Sequence, residues 1–209
     1  MKTKLKKIAF YTLAVLLSGC VPSVHPLFTE NEQISDANLV GIWSPADSND
    51  TWIFKPEKKG YEGIYIENNK NISNFNVRLG KLGDNMFLDT YPQKTNLAEN
   101  DFYKAHLLCT HSFLRVELSK DSLKLRVMNP DSVDKLLKSD PNIIKYERLE
   151  DGKVVLTAST KELQDFMLKY GVDEKYGLFE KAVEAGKLCR IKANEPNKTN
   201  DKQPKSKNE

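Results

Sequence analysis

Within six residues this chain sets His106, Cys109 and His111, side chains able to hold a metal or to work as nucleophile and base. A metal site needs its ligands to converge. Read as one long strand over residues 106–118, the segment points residues five apart to opposite faces, so His106 and His111 cannot meet on one ion without a bulge. Cys109 and His111, two apart, share a face. Structural zinc takes four protein ligands and catalytic zinc three, and no further Cys or His stands nearby in the sequence. No metal and no other cofactor is therefore expected. A cysteine or serine nucleophile also needs a base and a group that orients it, and the spacing alone supplies no such set. The G-x-S-x-G elbow is missing, as are the phosphate-loop and dinucleotide glycine patterns. The expectation is a protein that is not an enzyme, with no catalytic residue.

Phe113, Arg115 and Glu117 follow His111 at every second position. If that face lines a barrel, His111, Arg115 and Glu117 form a polar set beside an aromatic side chain, suited to orienting an amphipathic ligand. If it faces water, the same residues are an ordinary solvated edge. Sequence leaves both readings open.

A different cysteine carries the more specific pattern. Leu17-Ser18-Gly19-Cys20 ends an apolar run over residues 8–17, which itself follows Lys2, Lys4, Lys6 and Lys7. Positive region, apolar region and small residues are the three parts of a secretory signal. About ten apolar residues are too few to span a hydrocarbon core, which needs roughly twenty. The motif resembles the bacterial lipobox. That resemblance implies that residues 1–19 are a signal peptide, that the Cys20 thiol receives diacylglycerol, and that the chain is held to a membrane by lipid. Two or more acyl chains anchor stably, each buried CH₂ contributing about 0.8 kcal/mol. Val21, where an aspartate would mark inner-membrane retention, implies by the same resemblance the periplasmic face of the outer membrane.

Removing residues 1–19 takes four of the 32 basic residues and none of the 29 acidic ones, which turns a formal charge of +3 into −1. This near-neutral balance argues against nucleic acid, which usually needs a strongly basic patch. With Cys20 committed to lipid, Cys109 and Cys189 remain in a compartment that permits disulfides. A bridge between them would close a loop of 80 residues, worth roughly 4 to 5 kcal/mol in the chain-entropy view. The alternative is two buried thiols acting as small hydrophobes.

The elements that must position these groups read mostly as strands. Residues 20–37, with Pro22 and Pro26 and few consecutive apolar residues, read as an extended tether, and residues 38–191 as a single β-rich domain. Residues 192–209, rich in Lys, Asn and Pro, read as a disordered polar tail. Short aromatic and aliphatic runs at 51–54, 61–66, 75–79 and 86–90 are separated by Gly, Asn, Asp or Pro. After the long strand at 106–118 comes a turn at Lys120-Asp121. A strand at 123–127 then puts Leu123, Leu125 and Val127 inward and Lys124 and Arg126 outward. A short amphipathic helix fits 132–138, and a hairpin pairs 143–149 with 154–158 across Asp151-Gly152. The period then changes to 3.6. Ser159-Thr160-Lys161-Glu162 reads as a capping box ahead of the stripe Leu163, Phe166, Met167 and Tyr170. A second helix is expected over 174–185 and a last strand over 188–191. The fold class is mainly β with C-terminal helices: an antiparallel β-meander or small barrel covered by two helices.

Gly41-Ile42-Trp43 at the start of the first strand resembles the lipocalin signature, whose tryptophan closes one end of an eight-stranded barrel. The resemblance implies an arginine packed across that tryptophan, and Arg190 is the residue placed late enough to serve. Taken with the lipobox, His25-Pro26-Leu27 and the passage from Leu156-Thr157-Ala158 into Glu162-Leu163-Gln164, the chain resembles uncharacterised bacterial envelope lipoproteins. The functional expectation is a lipid-anchored envelope protein that binds a small apolar or amphipathic ligand or supports an envelope assembly. The alternatives are an accessory lipoprotein with a filled core that binds a protein partner, and an envelope hydrolase.

Overall fold

The computed structural model describes residues 21–45, 48–93 and 100–180, and the backbone of residues 187–190. The signal segment with Cys20, the polar tail, and the side chains of Cys189 and Arg190 lie outside the described residues.

Seven strands run as an antiparallel meander: β1 (Gly41–Pro45), β2 (Thr51–Pro56), β3 (Tyr61–Glu67), β4 (Asn71–Leu82), β5 (Asn85–Pro92), β6 (Ser112–Leu118) and β7 (Ser122–Val127). The chain is thus mainly β, as expected. The sheet curls until it nearly closes. A four-residue strand, Lys187–Arg190, pairs with both β7 and β1 and completes the circuit. Its register sets Trp43 opposite Arg190 and Cys189 opposite both Ser44 and Ser122. The turn between β3 and β4 holds Asn68 and Asn69 at positive φ, the conformation that asparagine tolerates best after glycine.

Alternation divides the sheet into two faces. Inside the barrel Leu39, Trp43, Phe54, Tyr61, Val77, Leu79, Leu88, Val116, Leu123 and Leu125 pack into one core. The Trp43 indole N–H is satisfied by the Leu39 carbonyl at 2.9 Å. Leu123 and Leu125 point in as the strict alternation of β7 predicts, and the interior is filled with side chains.

A second core lies on the outer face of the barrel wall, between Phe87 and Phe113 and a covering layer. Helix α2 (Pro130–Ser139) follows the four-residue α1 (Asp101–Lys104). It starts where Asn129 caps the Ser132 N–H and Pro130 fills the first turn, a position where a missing N–H costs nothing. Buried Val133 and Leu137 hold it down. A two-stranded hairpin, β8 (Tyr146–Arg148) and β9 (Val154–Leu156), and helix α3 (Thr160–Phe166) complete the cover. The capping box forms as the sequence predicts, Ser159 and Glu162 each satisfying the other's backbone N–H. The last turns of this helix widen to a π-turn over Met167–Gly171.

Three expectations are corrected. The long strand over 106–118 begins only at Ser112; residues 105–110 are irregular and exposed apart from half-buried Thr110, and His106 caps the α1 turn with Nδ1 at 2.8 Å from the Phe102 carbonyl. The second late helix is a single 3₁₀ turn, Glu174–Tyr176. Gly177 ends it in the left-handed region at φ 57°, which glycine enters without steric cost, and Phe179 then bridges to Met128 instead of continuing a helix. Residues 181–186 of that expected helix lie outside the described residues.

The third correction concerns the tether. Val21 is 3% exposed, and Ser23, Leu27 and Phe28 are buried. Ser23 and His111 exchange backbone hydrogen bonds at 2.9 and 2.8 Å, Val24 donates to the Leu156 carbonyl, and Leu156 donates to that of Pro22. The Phe28 ring lies flat on Gly80, where an added Cβ would stand 2.5 Å from it. Residues 21–34 form a strap built into the domain. An apolar pair as short as Leu27-Phe28 carries no periodic signal, yet both residues are buried in the core on the outer barrel face.

Candidate functional site

Residues that share the outer face of β4 and β5 make the floor of the site. Register places Arg78 beside Asp89 and Asn76 beside Tyr91. Asp89 is buried directly behind Met86, Phe87 and Leu88, so its carboxylate must be paired. The strap and the loop ahead of β6 supply the partners. Asp89 Oδ2 accepts the Leu27 N–H at 2.9 Å, and Oδ1 lies 2.6 Å from His111 Nδ1. A carboxylate can only accept, so Nδ1 carries the proton and Nε2 is turned away from Asp89. That nitrogen makes no hydrogen bond among the described residues. The His111 ring packs against Tyr91 with centroids 4.6 Å apart, and Arg78 gives one N–H to the Phe28 carbonyl at 2.9 Å.

Around this floor a cleft of about 430 Å³ opens, with Val24, Leu108 and Cys109 on its rim and Asn76, Arg78, Asp89, Tyr91 and His111 within it. Asn76, Arg78, Asp89, Tyr91 and His111 line one recess, where Arg78, Asn76 and Tyr91 bring donor groups and His111 Nε2, with the proton on Nδ1, is an acceptor. The arrangement can take an acidic group at its floor and a hydrocarbon portion at its rim.

Of the residues singled out in sequence, His111 and Cys109 line this cleft, while the set His111, Phe113, Arg115 and Glu117 is not a cavity lining. The four sit on the outer face of the wall, and Leu114, Val116 and Leu118 take the interior. Phe113 is buried in the outer core. Arg115 reaches Glu174 at 2.9 Å and Asn85 at 2.8 Å, and Arg126 joins Glu117 at 2.6 Å and Glu174 at 3.1 Å. Hydrogen bonding from Lys124 foremost, then from Arg126, holds the Glu117 carboxyl below its ordinary range. These residues latch the 3₁₀ turn onto the barrel wall.

The disulfide expectation is corrected as well. Cys109 is a free, exposed thiol. Cys189 faces Ser122 beyond one end of β6, whereas Cys109 precedes the other end. The six steps of strand from Ser112 to Leu118 span roughly 20 Å, and a disulfide needs Cα atoms about 4.4 to 6.8 Å apart.

Arg78, Asp89 and Tyr91 were not singled out from sequence. The available signal was an aspartate directly behind the apolar run Met86-Phe87-Leu88, which demands a partner if it is buried. No family model, no curated protein and no solved structure matches this chain.

Proposed function

We propose that this chain is a lipid-anchored cell-envelope protein that acts by binding. Its filled barrel serves as scaffold, and its binding site for a small amphipathic ligand with an acidic group is the cleft outside the wall. The observation that carries the binding reading is the contrast between a barrel interior packed with side chains and an outer recess where Arg78, Asn76, Tyr91 and His111 converge. The lipobox Leu17-Ser18-Gly19-Cys20 supports the anchor, and Val21 behind it supports the periplasmic face of the outer membrane.

Native mass spectrometry of the mature protein, solubilised from its own host in detergent, tests this reading. A retained small molecule that is lost in Arg78→Ala and Tyr91→Ala, with circular dichroism unchanged, is the expected result. A bare protein, or a ligand kept by both variants, overturns the cleft as the binding site.

A hydrolase reading is favoured by one observation, the His111–Asp89 pair with the Cys109 thiol in the same cleft. Cys109 would be the nucleophile, His111 the base and Asp89 the group that orients it. Cys109 makes no hydrogen bond to His111 in the structure, which supports binding over turnover. Accumulation of a thioester mass on Cys109 during incubation with ester probes would reverse that preference.

A further inference from the structure

Among the described residues, half of the large hydrophobic side chains that remain exposed fall within seven consecutive positions. Phe102 is 79%, Tyr103 52%, Leu107 45% and Leu108 71% exposed. They sit on the short α1 turn and the irregular stretch behind it, with Lys104 among them. An aromatic pair, two leucines and a lysine are side chains suited to a membrane interface, where rings sit at headgroup level and a lysine stem lies along the boundary.

The strap tells what covers this patch. Because Val21 and Ser23 are buried and Pro22, Ser23 and Val24 hydrogen-bond into the domain, a lipid on Cys20 has no slack chain between it and the domain. Cys20 is four residues from Val24, at most about 14 Å of extended chain, and Val24 lines the same cleft as Leu108. An anchored domain therefore lies against its bilayer on the flank that carries the strap, and the patch belongs to that flank.

We propose that residues 102–108 are a second membrane contact, with Phe102, Leu107 and Leu108 dipping into the headgroup–acyl boundary of the bilayer that holds the Cys20 lipid. This rests on the lipid anchor proposed above. Interfacial segments of this kind bury their apolar face about 5 to 10 Å deep.

The free thiol of Cys109, next to Leu108, serves as reporter. Mature lipidated protein, labelled at Cys109 with an environment-sensitive fluorophore and the site checked by peptide mass, is placed in phosphatidylcholine–phosphatidylglycerol vesicles containing doxyl-labelled lipid. Blue-shifted emission that doxyl lipid quenches is expected. A probe at Lys120→Cys in a Cys109→Ser background, in the turn beyond the opposite end of β6, should stay unquenched. Replacing Phe102, Leu107 and Leu108 together by serine should abolish the quenching at Cys109 while the protein still floats with vesicles. Vesicle-bound protein without selective quenching at Cys109 overturns the contact and leaves the anchor standing. Protein that carries no lipid mass on Cys20 and does not float overturns both.

Discussion

His111 and Asp89 meet at 2.6 Å in a buried pair, and the second oxygen of the same carboxylate takes the Leu27 backbone N–H. One aspartate therefore ties together β5, the loop ahead of β6 and the strap. Removing it strands an imidazole and a backbone donor at once. Asp89→Ala should cost about 3 kcal/mol, as breaking a buried pair typically does, and should expose residues 21–34 to protease. Urea unfolding combined with limited proteolysis checks this. An unchanged midpoint would show that the carboxylate holds nothing.

Gly80 and Phe28 give a steric test of the same strap. A Cβ at position 80 would stand 2.5 Å from the Phe28 ring, so Gly80→Ala should destabilise the protein by about 1 to 3 kcal/mol, as overpacking does. Phe28→Leu in that background should return part of the loss. A double-mutant cycle in urea measures the coupling, and strictly additive effects would refute the contact.

Acid should loosen the covering layer through Glu162. Hydrogen bonding from Lys145 foremost, and then from Ser159, brings its pKa down to about 2 from 4.5. A carboxyl depressed on folding stabilises the fold above its unfolded value, and that contribution is lost as pH falls through the folded one. Thermal melts should show stability falling between about pH 4.5 and 2, and Glu162→Gln should flatten the fall in that window while lowering the melting temperature at neutral pH. Parallel curves for the two proteins would contradict the Glu162 carboxylate, with its Lys145 and Ser159 partners, as the source.

Cys109 should react with a thiol reagent in the native protein without prior reduction, given its free and exposed sulfur. Non-reducing and reducing electrophoresis should show the same mobility. Labelling that appears only after reductant would restore a bridge.

The barrel wall was the legible part of the fold. Leu123-Lys124-Leu125-Arg126-Val127 alternates with period two, and the buried Leu123 and Leu125 follow from that alone. Ser159 and Glu162 name a helix start, because the cap is made by residues three apart. The strap was illegible because Leu27-Phe28 is one short apolar pair between Pro26 and Thr29, too brief to show a period, and its partners Asp89 and Gly80 stand more than fifty positions away. The helix expected over 174–185 failed where tertiary pairing overrode periodicity: Gly177 turns left-handed and Phe179 joins Met128. Arg115 and Glu117 were rightly placed on one face with His111, but parity cannot say which side of a wall that face becomes. The candidate cleft escaped for a related reason, since its floor comes from β4 and β5 and its rim from the strap and the loop behind α1.

The strap also bears on the order of folding. Thr160 donates to the Pro26 carbonyl across a separation of 134 residues, and Gln164 to the Leu27 carbonyl across 137. Contacts so distant in sequence are entropically costly to close and slow to form. The first segment of the domain in sequence is thus expected to be among the last to be seated. Until residue 164 has been made, Leu27 and Phe28 have an incomplete surface to cover, and a nascent or truncated chain presents them to chaperones and proteases.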